Sequence, residues 1–133
     1  RVMFETKSRG RLAMEKIVLD TMEFYFGGKC SVITVTNEMI RKTGCSVDEL
    51  DGITALSRQI EGVLVGITLK QKEDGRFKVS VRTFPPFDAA AICAKHGGGG
   101  HTRAAGCEFR LPANEVKELL LATLEEFFNE KCR

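Results

Sequence analysis

A single α/β domain, built on one mixed β-sheet flanked by helices, is the fold class this sequence predicts. Three observations predict it. Apolar residues recur at helical spacing near both ends of the chain, and a β-branched run stands at Ser31–Thr36. Two stretches of alternating apolar and polar residues, Val63–Lys70 and Arg76–Arg82, face each other across a polar turn.

Met14, Ile17, Val18, Thr21, Met22 and Tyr25 form one face of a helix over about residues 9–26, with Lys16, Asp20 and Glu23 opposite. Gly27-Gly28 supplies its stop. The run SVITVT then reads as a buried strand, followed by short helices near Asn37–Lys42 and Glu49–Gln59. In the hairpin, Val63, Val65, Ile67 and Leu69 share a face, as do Phe77, Val79 and Val81, and Asp74-Gly75 closes the turn. Pro85-Pro86 breaks the second strand. Asp88 caps a short helix through Lys95, because its carboxylate accepts free N–H groups of the first turn. A strand follows at Cys107–Leu111. Pro112 opens a last helix with an apolar stripe of Val116, Leu119, Leu120, Thr123, Leu124 and Phe127. No repeat or linker divides the chain.

The bulk composition narrows the function. The 133 residues suit one domain with a real core, and 43% hydrophobic with 29% charged residues exclude a disordered chain. No apolar run approaches the roughly 20 residues of a membrane span, so no membrane partner is expected. Lys and Arg number 20 against 18 Asp and Glu, a net charge of +2. Affinity for nucleic acid would then come from a local pocket and not from a basic stripe. Five scattered cysteines with no CxxC pair indicate neither a disulfide framework nor a zinc knuckle, which fits a reducing cytoplasm. The chain opens on Arg1 and runs directly into helical spacing, the pattern of a piece cut from a longer protein.

The most informative stretch is Gly97-Gly98-Gly99-Gly100-His101-Thr102-Arg103-Ala104-Ala105-Gly106. Each ordered glycine costs up to about 1 kcal/mol relative to alanine, so four in a row are expensive in a mere connector. Close approach of backbone N–H groups to an anion would justify them, aided by a turn of helix starting near His101. His101 and Arg103 can donate to the same anion. Neither a P-loop nor a dinucleotide GxGxxG pattern is met. The residues alone leave an anion site and a flexible connection both open.

Other constellations favour plain roles. Cys93, His96, His101 and Cys107 can be drawn as a zinc site, but structural zinc prefers tighter spacing, and both cysteines look like small core residues. His96 reads as a helix end, its imidazolium complementing the dipole. Asp48 and Asp51 read as a solvated helix start. Phe24, Tyr25, Phe26, Phe127 and Phe128 read as core. Phe84 and Phe87, flanking the prolines, could stack on a base or pack beneath the glycine loop.

GGGGHTRAAG resembles the GGGH-x-x-A-A-G signature of the DHH-associated domain found in RecJ-like and oligoribonuclease-type phosphoesterases. SRGRL at 8–12, Glu61-Gly62-Val63 and Lys78-Val79-Ser80-Val81-Arg82 fall where that family has its linker helix and two strand segments. Thr83 stands where the family commonly has serine, and His96 where it has an aromatic or aliphatic residue. The resemblance implies a linker and first helix over 1–28 and a substrate-binding domain over 29–133. It implies no catalytic or metal-binding residue in this chain. An N-terminal DHH domain would hold two metal ions, usually manganese, and would be this domain's partner. The substrate implied is a short RNA, a mononucleotide such as 3′-phosphoadenosine 5′-phosphate, or a linear or cyclic dinucleotide. Gly98, Gly99, Gly100, His101 and Arg82 would grip its phosphate, with Arg103 beside them. The resemblance leaves room for a homodimer through the full-length protein. Alternatives are a non-catalytic nucleic-acid-binding module, like the terminal domain of alanyl-tRNA synthetases, and part of a RecJ-type single-strand DNA exonuclease.

Overall fold

In a computed structural model, which describes residues 6–131, helix α1 spans Arg9–Thr21. Ser8 caps it, its hydroxyl accepting from the Arg11 N–H at 3.0 Å. The helix ends earlier than its periodicity predicts. Met22 is already extended, and Glu23–Tyr25 form strand β1, antiparallel to β2 (Cys30–Val35). Phe26, Gly27 and Gly28, all at positive φ, make the turn between these strands. Gly27-Gly28 therefore closes a hairpin and does not stop a helix. Backbone pairing with β2 outweighs a helical apolar spacing that continues through Tyr25.

After α2 (Asn37–Thr43), ended by Gly44 in the left-handed region, the chain takes a 3-10 turn (Val47–Glu49), α3 (Leu50–Thr54) and a second 3-10 turn (Ala55–Arg58). The predicted hairpin forms as β3 (Val65–Gln71) and β4 (Phe77–Thr83), in the register Leu69↔Val79 and Gly66↔Arg82. Asp88 accepts from the Ala91 N–H and caps α4 (Ala89–Ala94). The residues Gly99–Gly100 form β5, and Ala104–Phe109 form β6, which starts three residues before the predicted strand. Helix α5 (Ala113–Lys131) ends the description. One six-stranded sheet results, ordered β1-β2-β3-β4-β6-β5, with β2 and β3 parallel and the other pairs antiparallel.

The sheet carries a core on each face. On one side Val65, Ile67, Leu69, Val79 and Val81 pack with Phe87, Ile92 and the α5 residues Val116, Leu120, Leu124 and Phe128. The α5 stripe thus runs at strict four-residue spacing through Phe128, while Leu119 stays 43% exposed. On the other side Ile33 and Val35 meet Met14, Val18, Leu50 and Ile53 from α1 and α3. That second layer covers β2 and part of β3. The β4 residues on the same face, Lys78 and Arg82, remain exposed, as does Glu108 of β6.

Candidate functional site

The glycine segment is a tight hairpin laid on the sheet edge. Gly99 and Gly100 pair with Gly106 and Ala105. The turn closes through the His101 N–H to the Ala104 carbonyl at 2.8 Å and the Ala104 N–H to the His101 carbonyl at 3.2 Å. The helical turn expected at His101 is absent, because Ala104 onward extends β6 to satisfy the backbone of Arg82 on β4. No helix dipole points at an anion here. The donors the loop offers are strand and turn N–H groups.

The individual glycines answer to different demands. A Cβ on Gly98 would sit 2.1 Å from the Gly106 carbonyl oxygen and 2.6 Å from the Cys107 Cβ. Gly100 has φ +151° and would drive a Cβ to 2.6 Å from the Ala105 Cα. Gly99 has neither constraint: nothing lies within 4 Å of its Cβ position, and its φ is not positive. A side chain at Gly99 would therefore meet neither a clash nor a forbidden φ. What remains at Gly99 is open space, which a ligand could occupy.

Arg82, one residue before the end of β4, lies directly opposite Ala104, at the turn end of this hairpin. Its neighbours Val81 and Thr83 are buried, so strand parity points Arg82 away from the α5-side core. Thr83 locks the two pieces together. Its N–H donates to the Arg103 carbonyl at 3.0 Å, and its hydroxyl to the Thr102 carbonyl at 2.9 Å. Serine would place a hydroxyl equally well. The Ala89 N–H holds the Thr102 carbonyl from the other side at 2.7 Å. His101 and Arg103 are exposed on this braced turn. Among the described residues the side chains of Arg82, His101 and Arg103 have no hydrogen-bond or ion-pair partner. The structure thus places Arg82 on β4 and the glycines on β5, on either side of β6, and leaves three cationic or protonatable side chains unengaged.

Sequence reasoning missed the polar layer behind Arg82. Ser31, Ser57 and Thr68 are buried. The Ser31 hydroxyl donates to the Ser57 carbonyl, and Thr68 Oγ1 lies 3.2 Å from Ser57 Oγ, which in turn donates to the Thr54 carbonyl at 3.2 Å. The available signal was parity. Gly66, Thr68 and Lys70 alternate with the apolar face of β3 and belong with Ser80 and Arg82 on the opposite side.

The remaining candidates fall into structural roles. Cys30, Cys45, Cys93 and Cys107 are free and buried. Cys93 donates to Cys107, and that hydrogen bond together with burial pushes the Cys93 thiol upward. His96 turns away from both, with a ring nitrogen 2.8 Å from Thr123 Oγ1 and its ring 5.3 Å from that of Phe109. Burial lowers its pKa, so the neutral ring is favoured and the expected imidazolium at the helix end is corrected. The four drawn zinc ligands do not converge. Among the described residues no group of three or more His, Cys, Asp or Glu could hold a metal ion. Phe26 stacks on Phe128 at 4.3 Å, and Phe87 is buried beside it. Phe84 is 46% exposed, two residues beyond Arg82. No described helix is long and apolar enough to cross a membrane.

These features define a class: an α/β domain with one mixed sheet and a glycine hairpin beside exposed cations. The chain belongs to the DHHA1 domain family, whose model matches residues 26–130. It is 35% identical over 127 residues to a bifunctional oligoribonuclease and PAP phosphatase, NrnA, of Thermus thermophilus, covering 95% of this chain and 37% of that protein. Among solved structures it resembles an exopolyphosphatase-related protein from Bacteroides fragilis, with TM-score 0.81, 26% identity, and coverage of 93% of this chain and 36% of the other. A pGpG-specific phosphodiesterase, PggH, from Vibrio cholerae shares the fold at TM-score 0.57 and 15% identity, over 87% of this chain and 39% of its own. The chain therefore spans little more than a third of the length of these relatives.

Proposed function

We propose that this chain is the substrate-binding domain of a DHH-type phosphoesterase acting on short nucleotides. The substrate class is short oligoribonucleotides, 3′-phosphoadenosine 5′-phosphate or dinucleotides. The observation that carries this reading is the juxtaposition of Arg82, whose side chain has no partner among the described residues, with the braced GGGH hairpin in a member of the DHHA1 family. The likeness to NrnA supports the substrate class.

In this reading Gly98, Gly99 and Gly100 let the backbone approach a substrate phosphate, while Arg82, His101 and Arg103 donate to its oxygens. Bond cleavage would need two metal ions, manganese by family resemblance, which find no ligand set among the described residues of this chain. They belong in this reading to a separate DHH domain of the same protein, over which this domain closes.

The test is a titration of the chain with 5′-AMP by NMR. A charge-assisted hydrogen bond contributes about 1.5–3 kcal/mol, so Arg82→Ala and His101→Ala should each weaken binding by roughly ten- to a hundredfold. If both variants bind 5′-AMP as the parent does, the phosphate assignment is wrong.

A further inference from the structure

Arg82 does not stand alone on the open face of the sheet. It lines a polar cleft of about 460 Å³ together with Ser80 and Lys78 of β4, Thr68 of β3, and Asp51 and Arg58 from the segment above. Strand parity puts Lys78, Ser80 and Arg82 on one face, at every second residue. Arg58 arrives from the second 3-10 turn. That turn presses on β3 at Gly66, where a Cβ would lie 2.5 Å from the Ser57 carbonyl oxygen and 3.1 Å from the Arg58 nitrogen. Gly66 is the cross-strand partner of Arg82. A glycine at 66 thus lets the turn settle low enough to bring Arg58 beside Arg82. The buried Ser31, Ser57 and Thr68 hydroxyls tie the turn down in that position.

The cations in this cleft are left unpaired, in contrast to their neighbours at the hairpin end. There Lys72 and Arg76 bond Glu108 at 2.8 and 3.5 Å, and Arg76 also holds Asp74 at 2.8 Å. Among the described residues Arg58, Lys78 and Arg82 have no such partner, and Asp51 is the one carboxylate among the cleft's lining residues. Three positive side chains facing one acid leave a net positive recess. Its size exceeds what one phosphate needs, since a water takes about 30 Å³. Its length does too. Lys78 and Arg82 are four residues apart on an extended strand, about 13 Å between Cα atoms, which suits one phosphate at each end.

We infer that Arg58 and Lys78 form a second phosphate subsite, continuous with the Arg82 and glycine-hairpin site, and make this domain selective for nucleotides carrying two phosphates. The inference rests on the phosphate role proposed for Arg82 but is separable from it. Arg58 and Lys78 are specificity-determining side chains. They engage the second phosphate of a 5′-phosphorylated dinucleotide and have little to offer a nucleotide with a single phosphate.

The experiment is calorimetric or NMR titration of the parent chain, Arg58→Gln, Lys78→Gln and Arg82→Ala with two probes, 5′-AMP and the 5′-phosphorylated dinucleotide pApA. The expected result is that Arg58→Gln and Lys78→Gln each weaken pApA binding about tenfold or more and change 5′-AMP binding less than threefold. Arg82→Ala should weaken both ligands. Circular dichroism melts check that Gln at these partly or fully exposed positions leaves the fold unchanged. If Arg58→Gln and Lys78→Gln bind pApA like the parent while Arg82→Ala loses both ligands, the second subsite is refuted and the first survives. Equal losses for the two ligands would mean one shared phosphate site, which also overturns the inference. If Arg82→Ala loses neither, the underlying phosphate reading falls instead.

Discussion

Gly98 and Gly99 are neighbours in sequence, yet their glycine character has different causes. At Gly98 the fold itself excludes a side chain, with backbone 2.1 Å from any Cβ. The obstacle is the Gly106 carbonyl, which cannot rotate away as a side-chain tip would. Gly98→Ala should therefore destabilise the domain by about 1–3 kcal/mol, the ordinary cost of overpacking. Gly99→Ala meets nothing within 4 Å and no positive φ, so it should melt within about 0.5 kcal/mol of the parent or slightly above it. Thermal melts of the two variants read the contrast directly. If Gly99→Ala keeps its stability and loses 5′-AMP binding, the open space at that residue is where the ligand sits. Equal stability of both variants would mean that the hairpin is not braced as described. The sequence could announce four glycines, but it could not say which of them the fold demands. That depends on β6 passing beneath the hairpin, a contact between segments the chain brings together only on folding.

Elements with their own periodicity were legible, and elements defined by a partner strand were not. The β3–β4 hairpin, α4 with its Asp88 cap and the long α5 lie within a few residues of where alternation, capping and helical spacing place them. β1 hid inside a helical pattern because Met22 and Tyr25 continue the helical spacing, although in the structure they pack against different cores, and only pairing with β2 decides for a strand. Arg58 was equally hidden, since its importance comes from Gly66 on a different element. His96 shows the same limit between α4 and α5. Placed by sequence as a charged helix end, it instead packs against Thr123 and Phe109, where burial lowers its pKa from the usual value near 6.5. The unfolded chain therefore takes up a proton at a higher pH than the folded domain does. Stability from this site is fully present above about pH 6.5 and declines as pH falls through that value toward the lowered folded pKa. His96→Gln, which keeps a hydrogen-bonding group but does not titrate, should flatten the stability–pH curve between about pH 5 and 7. Denaturant melts at several pH values measure it, and a curve unchanged by the substitution would place the pH dependence elsewhere.

At the scale of the whole molecule, the sheet is fully roofed on one face and only half roofed on the other. Helices α1–α3 cover β2 and part of β3, and the exposed remainder over β4 and β6 carries the cations and adjoins the glycine hairpin. In the proposed reading this arrangement grips anions, and among the described residues no group of acids could hold the metals that phosphodiester hydrolysis needs. Two-metal hydrolysis needs several carboxylates converging on ions about 4 Å apart, to activate water and stabilise the leaving oxygen. Several of the described acids are held in ion pairs. Glu15 bonds Lys7 and Arg11, Glu108 bonds Lys72 and Arg76, and Glu23 holds Lys117, with no cluster of three potential ligands among the described residues. The chain as given should thus bind pApA and leave it intact. Incubation with pApA and manganese, followed by chromatography for released AMP, should show no product beyond the metal-only control. The same samples should still show pApA-dependent shifts by NMR, which separates an inactive binder from an unfolded protein. Turnover abolished by replacing one carboxylate of this chain would overturn the division between gripping and cleaving, and would place metal chemistry on residues assigned here to ion pairs and helix starts.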